Sequence, residues 1–161
     1  MTSCKIIPFL VLWGALSAIA TPALASEVPA NYSKLSNKEL KSRALTVVKA
    51  IRQLVNSYNE KDRDLTSDFE AEYLATRTTE RPLLQDQWRK KIDAAQGASL
   101  GNYRQNFAPN AALLREELQR RLPKRLQSRD MPKLYSTPAN VLSLEVVADD
   151  LELLAKSLPE T

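Results

Sequence analysis

Histidine is absent from all 161 residues, and the only cysteine, Cys4, stands near the start. Ser-His-Asp and Cys-His catalysis are therefore excluded. So are ordinary zinc, copper and haem sites, which need imidazole or thiolate donors, and no metal or cofactor is expected. Glycine is nearly as scarce, with three residues. That leaves no glycine-rich loop to cradle a phosphate, and with no alternation of apolar and polar residues there is little case for strands. A surplus of charge is missing too. The 23 basic residues exceed the 19 acidic ones by only 4, so nucleic acid is not an expected partner.

What is present begins with an address. One basic residue, Lys5, precedes an apolar run from Ile6 to Ala20, and Ala23-Leu24-Ala25 gives the small-x-small pattern that a signal peptidase reads. Left uncleaved, Ile6 to Ala25 would be long enough to span a bilayer, but Pro8 and Pro22 interrupt it. Cleavage after Ala25 is the better reading. A lipoprotein cysteine follows the apolar run, whereas Cys4 precedes it, so no lipid is expected. The sequence thus divides into a secretory signal at 1–25, an N-terminal extension at 26–35 and a domain at 36–158, with no transmembrane segment after cleavage. A mature chain of 136 residues suits a single core. With Cys4 removed it has no disulfide in a compartment that permits them. The bacterial periplasm fits such a chain best, although Asn31-Tyr32-Ser33 matches the glycosylation sequon of a eukaryotic secreted protein.

The apolar spacing is helical throughout, and the fold class expected is all-α, a single up-and-down bundle of four or five helices. Ser36-Asn37-Lys38-Glu39 has the form of a capping box. Behind it Leu40, Ala44, Val47, Val48, Ile51, Leu54, Val55 and Tyr58 share one stripe, which predicts a helix from Asn37 to about Glu60. A second helix is expected to open at Ser67 and a third at Pro82, running to Gln96, where Gly97 and Gly101 loosen the chain. Ala108-Pro109-Asn110 reads as a break with Asn110 as the next cap, and Pro123 ends that helix. A basic connection is expected from Lys124 to Pro138. Thr137 is the expected cap of the last helix, whose seam is Leu144, Val147, Leu151, Leu154 and Leu158.

Charge is segregated along the chain. The stretch 34–52 carries +5, 60–80 carries −4, 81–104 carries +3, 115–133 carries +4 and 145–161 carries −4. Helices of opposite sign lying side by side would account for this. The carboxylate pairs Glu116-Glu117 and Asp149-Asp150 are adjacent on helices and do not face each other. No cleft for acid–base work is evident. Trp88, Tyr103 and Phe107 read as core residues.

One cluster remains as a candidate site: Arg120, Arg121, Lys124, Arg125 and Arg129, where a helix ends. Cations are favoured there by the backbone dipole. The same arginines suit an anionic surface, a polyanion or an acidic protein. The functional expectation is an exported, non-catalytic protein that binds a macromolecular partner, most simply another protein. The alternative is a small all-helical enzyme working through Glu, Asp, Arg and Lys, to which Gln53, Gln87 and Arg89 could contribute.

Overall fold

The computed structural model describes residues 32–123 and 131–159. The expected signal at 1–25 and the start of the extension lie outside them. Among the described residues the chain is all-helical, with five α-helices: α1 (Asn37–Ala75), α2 (Arg81–Asn106), α3 (Ala108–Arg121), α4 (Pro132–Ser136) and α5 (Leu142–Ser157). A single 3-10 turn, Tyr32–Lys34, precedes them.

The capping box at the start of α1 is formed as expected. Ser36 Oγ accepts the Glu39 amide at 3.3 Å, and Glu39 Oε2 accepts the Ser36 amide at 2.9 Å. The far end of α1 departs from expectation. Instead of stopping near Glu60, the helix runs through to Ala75, because 61–66 contains no glycine or proline and Leu65 and Phe69 prolong the inner stripe. At 39 residues it is about 58 Å long at the usual rise of 1.5 Å per residue. Thr76 has extended backbone and returns its hydroxyl to the Glu72 carbonyl at 2.7 Å, which closes the helix.

Pro82 lies in the first turn of α2 as expected, but Gly97 and Gly101 do not end the helix. Neither has a positive φ, and each costs about 0.5–1 kcal/mol relative to alanine in a helix interior, a penalty that Leu100 and Tyr103 offset by burial in the core. Only Phe107 separates α2 from α3. The break at Pro109 is real, yet α3 starts at Ala108 with the proline in its first turn. Asn110 is accordingly no cap. It is buried, and its Oδ1 accepts the Tyr32 hydroxyl. Leu122 takes up extended backbone ahead of Pro123, as the steric clash before a proline requires.

The last cap is displaced as well. Thr137 terminates the short α4, with its amide and hydroxyl both donating to the Lys133 carbonyl. Asn140 takes the part expected of Thr137, since its Oδ1 accepts the Ser143 amide and hydroxyl, each at 2.9 Å. Consequently α5 opens at Leu142, after a buried Pro138.

The two expected seams meet. The α1 stripe from Leu40 to Val55 and the α5 seam from Leu144 to Leu158 enter one apolar core with Tyr103 of α2, Leu114 and Leu118 of α3, and Tyr135 of α4. Outside that core Arg52 of α1 clasps Asp149 of α5 at 2.8 Å and also Glu152, so helices of opposite sign do lie side by side. Beyond Tyr58 the remainder of α1 packs back on α2 as an antiparallel arm about 25 Å long. Its own seam contains Leu65, Phe69, Leu84 and Trp88, none of which joins the main core. Phe69 stacks on Trp88 with centroids 5.0 Å apart, and the Arg81 guanidinium sits 4.6 Å over the Tyr73 ring near the tip.

The core assignment has a direct test. Leu151→Ala, at a fully buried position, should destabilise by about 3 kcal/mol through the cavity it leaves, whereas Leu153→Ala on the opposite face should cost less than about 0.5 kcal/mol. Denaturant melts of the two variants supply the comparison.

Candidate functional site

The end of α3 shows where the expected basic cluster goes. Arg121 turns inward, with its side chain 16% exposed. Its Nε donates to Glu117 Oε1 at 2.7 Å, Nη1 to Asn37 Oδ1 at 2.9 Å, and Nη2 to the carbonyls of Tyr32 and Ser33 at 3.3 and 3.2 Å. One guanidinium thus ties the 3-10 turn and the start of α1 to α3. Arg120 is 62% exposed and shares Glu117, through Nε at 2.9 Å and Nη2 at 2.7 Å. Lys124, Arg125 and Arg129 lie outside the described residues. Of the five candidates, then, Arg121 is committed to packing and Arg120 is held on the surface by the same carboxylate.

Sequence reading missed the charges that enter the interior. Arg115 and Glu117 are buried on α3, and Asp150 is nearly so on α5. Asp150 Oδ2 accepts Arg115 Nε at 3.0 Å and the Tyr135 hydroxyl at 2.9 Å, while the Tyr103 hydroxyl donates to the Tyr135 carbonyl at 2.8 Å. The Arg115 guanidinium also lies 5.3 Å from the centre of the Tyr135 ring. Burial pushes the phenols of Tyr103 and Tyr135 up, and the Asp150 charge adds to the effect at Tyr135. Both therefore remain neutral donors with fixed acceptors at physiological pH. The network locks α2, α3, α4 and α5 in register; with its hydrogen-bonding groups turned on one another, it is poorly suited to acid–base chemistry. Its signal in the sequence was Arg115, which stands on the α3 stripe between Leu114 and Leu118.

The surface offers a different feature. On the outer side of α5, Leu142, Val146 and Leu153 are 64%, 48% and 64% exposed. Helical periodicity aligns them on one stripe, opposite the buried seam. On the α1 side lies an open groove of about 260 Å³, lined by Leu45, Val48, Lys49, Arg52, Gln53 and Asn56 of α1 and by Glu152 of α5. By the same periodicity Asp149 falls in the row between Val146 and Leu153, paired with Arg52, and Glu145 flanks it. The spacing of Leu142, Val146 and Leu153 is legible in the sequence, but the charges on the same face mask the row.

Comparison with known proteins leaves the surfaces to speak for themselves. The chain matches no family model, no curated protein and no solved structure. Among the described residues no helix is long and apolar enough to cross a membrane.

Two consequences follow for stability. Asp150→Ala should cost about 3 kcal/mol, since it removes the carboxylate that Arg115 and Tyr135 share in the interior. Arg121→Ala should cost about 2 kcal/mol through its charge-assisted hydrogen bonds, with Arg120→Ala leaving the melt nearly unchanged. Hydrogen bonds from Arg120 and then from Arg121 hold the Glu117 carboxyl below its ordinary range. Protonation therefore favours the unfolded chain: what Glu117 contributes is fully present above about pH 4.5 and lost as the pH falls through its folded-state pKa. Melts between about pH 7 and pH 3 should show a shallower acid-side loss for Glu117→Gln than for the natural protein.

Proposed function

We propose that the protein is exported, its residues 1–25 removed as a secretory signal, and that it works in the bacterial periplasm by binding another protein and without catalysis of its own. In this reading residues 36–158 form one domain, its helices arranged as an up-and-down bundle. The observation that carries the proposal is the apolar row on α5. Three large aliphatic side chains on the outside of one helix stay exposed to water, and clustered exposed apolar surface is a mark of an interaction site.

The chemistry of the partner follows from the rim. A segment that presents an apolar strip to Leu142, Val146 and Leu153 and basic side chains to Glu145 would be matched in both shape and sign. An amphipathic helix has these properties and a suitable width. The interior charges support binding over catalysis, because Arg115 and Asp150 are engaged with each other and Glu117 with Arg120 and Arg121.

The test is capture from the native envelope fraction. Mature protein should retain a discrete partner, and the triple variant Leu142→Gln, Val146→Gln, Leu153→Gln should lose it while melting as the natural protein does. Equal capture by the variant would contradict the assignment of the α5 face.

A further inference from the structure

The arm formed by the distal halves of α1 and α2 carries a second surface, separate from the α5 face. Its two helices differ in sign. Glu60, Asp62, Asp64, Asp68, Glu70 and Glu72 stand on α1 against Lys61 and Arg63, whereas 81–104 on α2 is net +3. Opposite charges on neighbouring helices would ordinarily pair across the seam, but here they do not. Among the described residues, the ion pair in the arm is Lys90 with Asp86 at 2.6 Å, within α2 itself. Asp64, Asp68 and Glu72 recur at every fourth position, so they form one row. Asp68 and Glu72 share a shallow cleft with Gln87 and Lys91, which places that row and Lys91 on the same side of the arm.

Helical periodicity puts Ala71, Ala75, Ala94 and Ala98 on that side as well, and all four are exposed. A face built from alanines lets another helix approach closely. Beneath it the seam is incompletely closed: Leu65, Phe69 and Trp88 are only half-buried, and the Trp88 indole N–H has no acceptor. Two helices cannot enclose an apolar seam, whereas four can.

We infer that this face of the arm receives the arm of a second copy of the same chain, in a symmetric dimer. Charge selects between the two ways of stacking identical hairpins face to face. A two-fold axis across the arm would lay α1 on α1, acid against acid. An axis along the arm lays the acidic α1 of each copy over the basic α2 of its partner, with both tips at the same end. The second arrangement sets Asp64 and Asp68 of one copy near Lys90 and Lys91 of the other, and joins the two half-open seams into a four-helix layer.

Sedimentation of the mature chain at micromolar concentration tests this. The natural protein should be a dimer that weakens as salt rises. A variant with Asp64→Lys, Asp68→Lys and Glu72→Lys should be a monomer, as should one with Lys90→Glu and Lys91→Glu. An equimolar mixture of the two variants should recover a dimer, because each then meets its complement. Since residues 26–161 contain no cysteine, a second measurement is available that leaves the charges intact. Ala71→Cys mixed with Gln87→Cys should give a covalent heterodimer on mild oxidation, and Ala71→Cys alone should give none. A natural protein that stays monomeric, a dimer indifferent to both reversals, or crosslinking of Ala71→Cys to itself would each overturn the inference.

Discussion

The apolar contact between the first half of α1 and α5 carries the molecule, because a chain with a single cysteine and no histidine has packing as its main resource. Leu40, Ala44, Ile51 and Val55 meet Leu144, Val147, Leu151 and Leu154, and every other helix of the core is placed relative to that contact. Stability of this origin is marginal by nature, the small remainder of burial against chain entropy. It leaves little tolerance for cavities. It also explains why the core is confined to one end of α1: α5 runs alongside only the first half, from Asn37, whose side chain reaches the Pro159 carbonyl at 3.0 Å, to the region just past Arg52.

Apolar surface fixes that the helices pack, but it leaves their register loosely specified. Polar groups supply the missing definition. Asp150, with Arg115 and Tyr135, pins α5 to α3 and α4, and Arg121 pins α3 to the chain ahead of α1. Buried pairs of this kind contribute little net stability, because desolvation offsets their attraction. Their loss is costly all the same, since the partner left behind is charged and dry. Glu117, Arg121 and Asp150, which look like candidate chemistry in the sequence, are thereby engaged in the architecture, and the aliphatic row on α5 stands exposed outside the core.

The parts of the fold legible in the sequence are those decided locally. The α1 stripe, the α5 seam, the Ser36 capping box and the stop before Pro123 each depend on residues within a turn or two. Misreadings arose where a distant group competed. Asn110 is a good cap in isolation, but Tyr32 claims its side chain from 78 residues away. Thr137 was outbid by Asn140, which stands three residues before Ser143 and accepts its amide while Thr137 closes α4. The continuation of α1 past Glu60 went unseen because 61–64 is wholly charged, and such a stretch reads as a loop unless its neighbour on the other side of the arm is known. The candidate site was hardly legible at all. Whether an arginine binds a partner or an internal carboxylate is a question of tertiary geometry, and Arg121 has the same sequence surroundings under either reading.

Function in this account comes down to whether the outer face of α5 meets another protein where the chain works. A photo-crosslinking residue placed at Leu153, and in a second strain at Asn59, an exposed position on α1 at the base of the arm, tests it in intact source cells. A discrete adduct from position 153 with none from position 59 is the expected result. Equal labelling from both positions, or no adduct from 153, would contradict it.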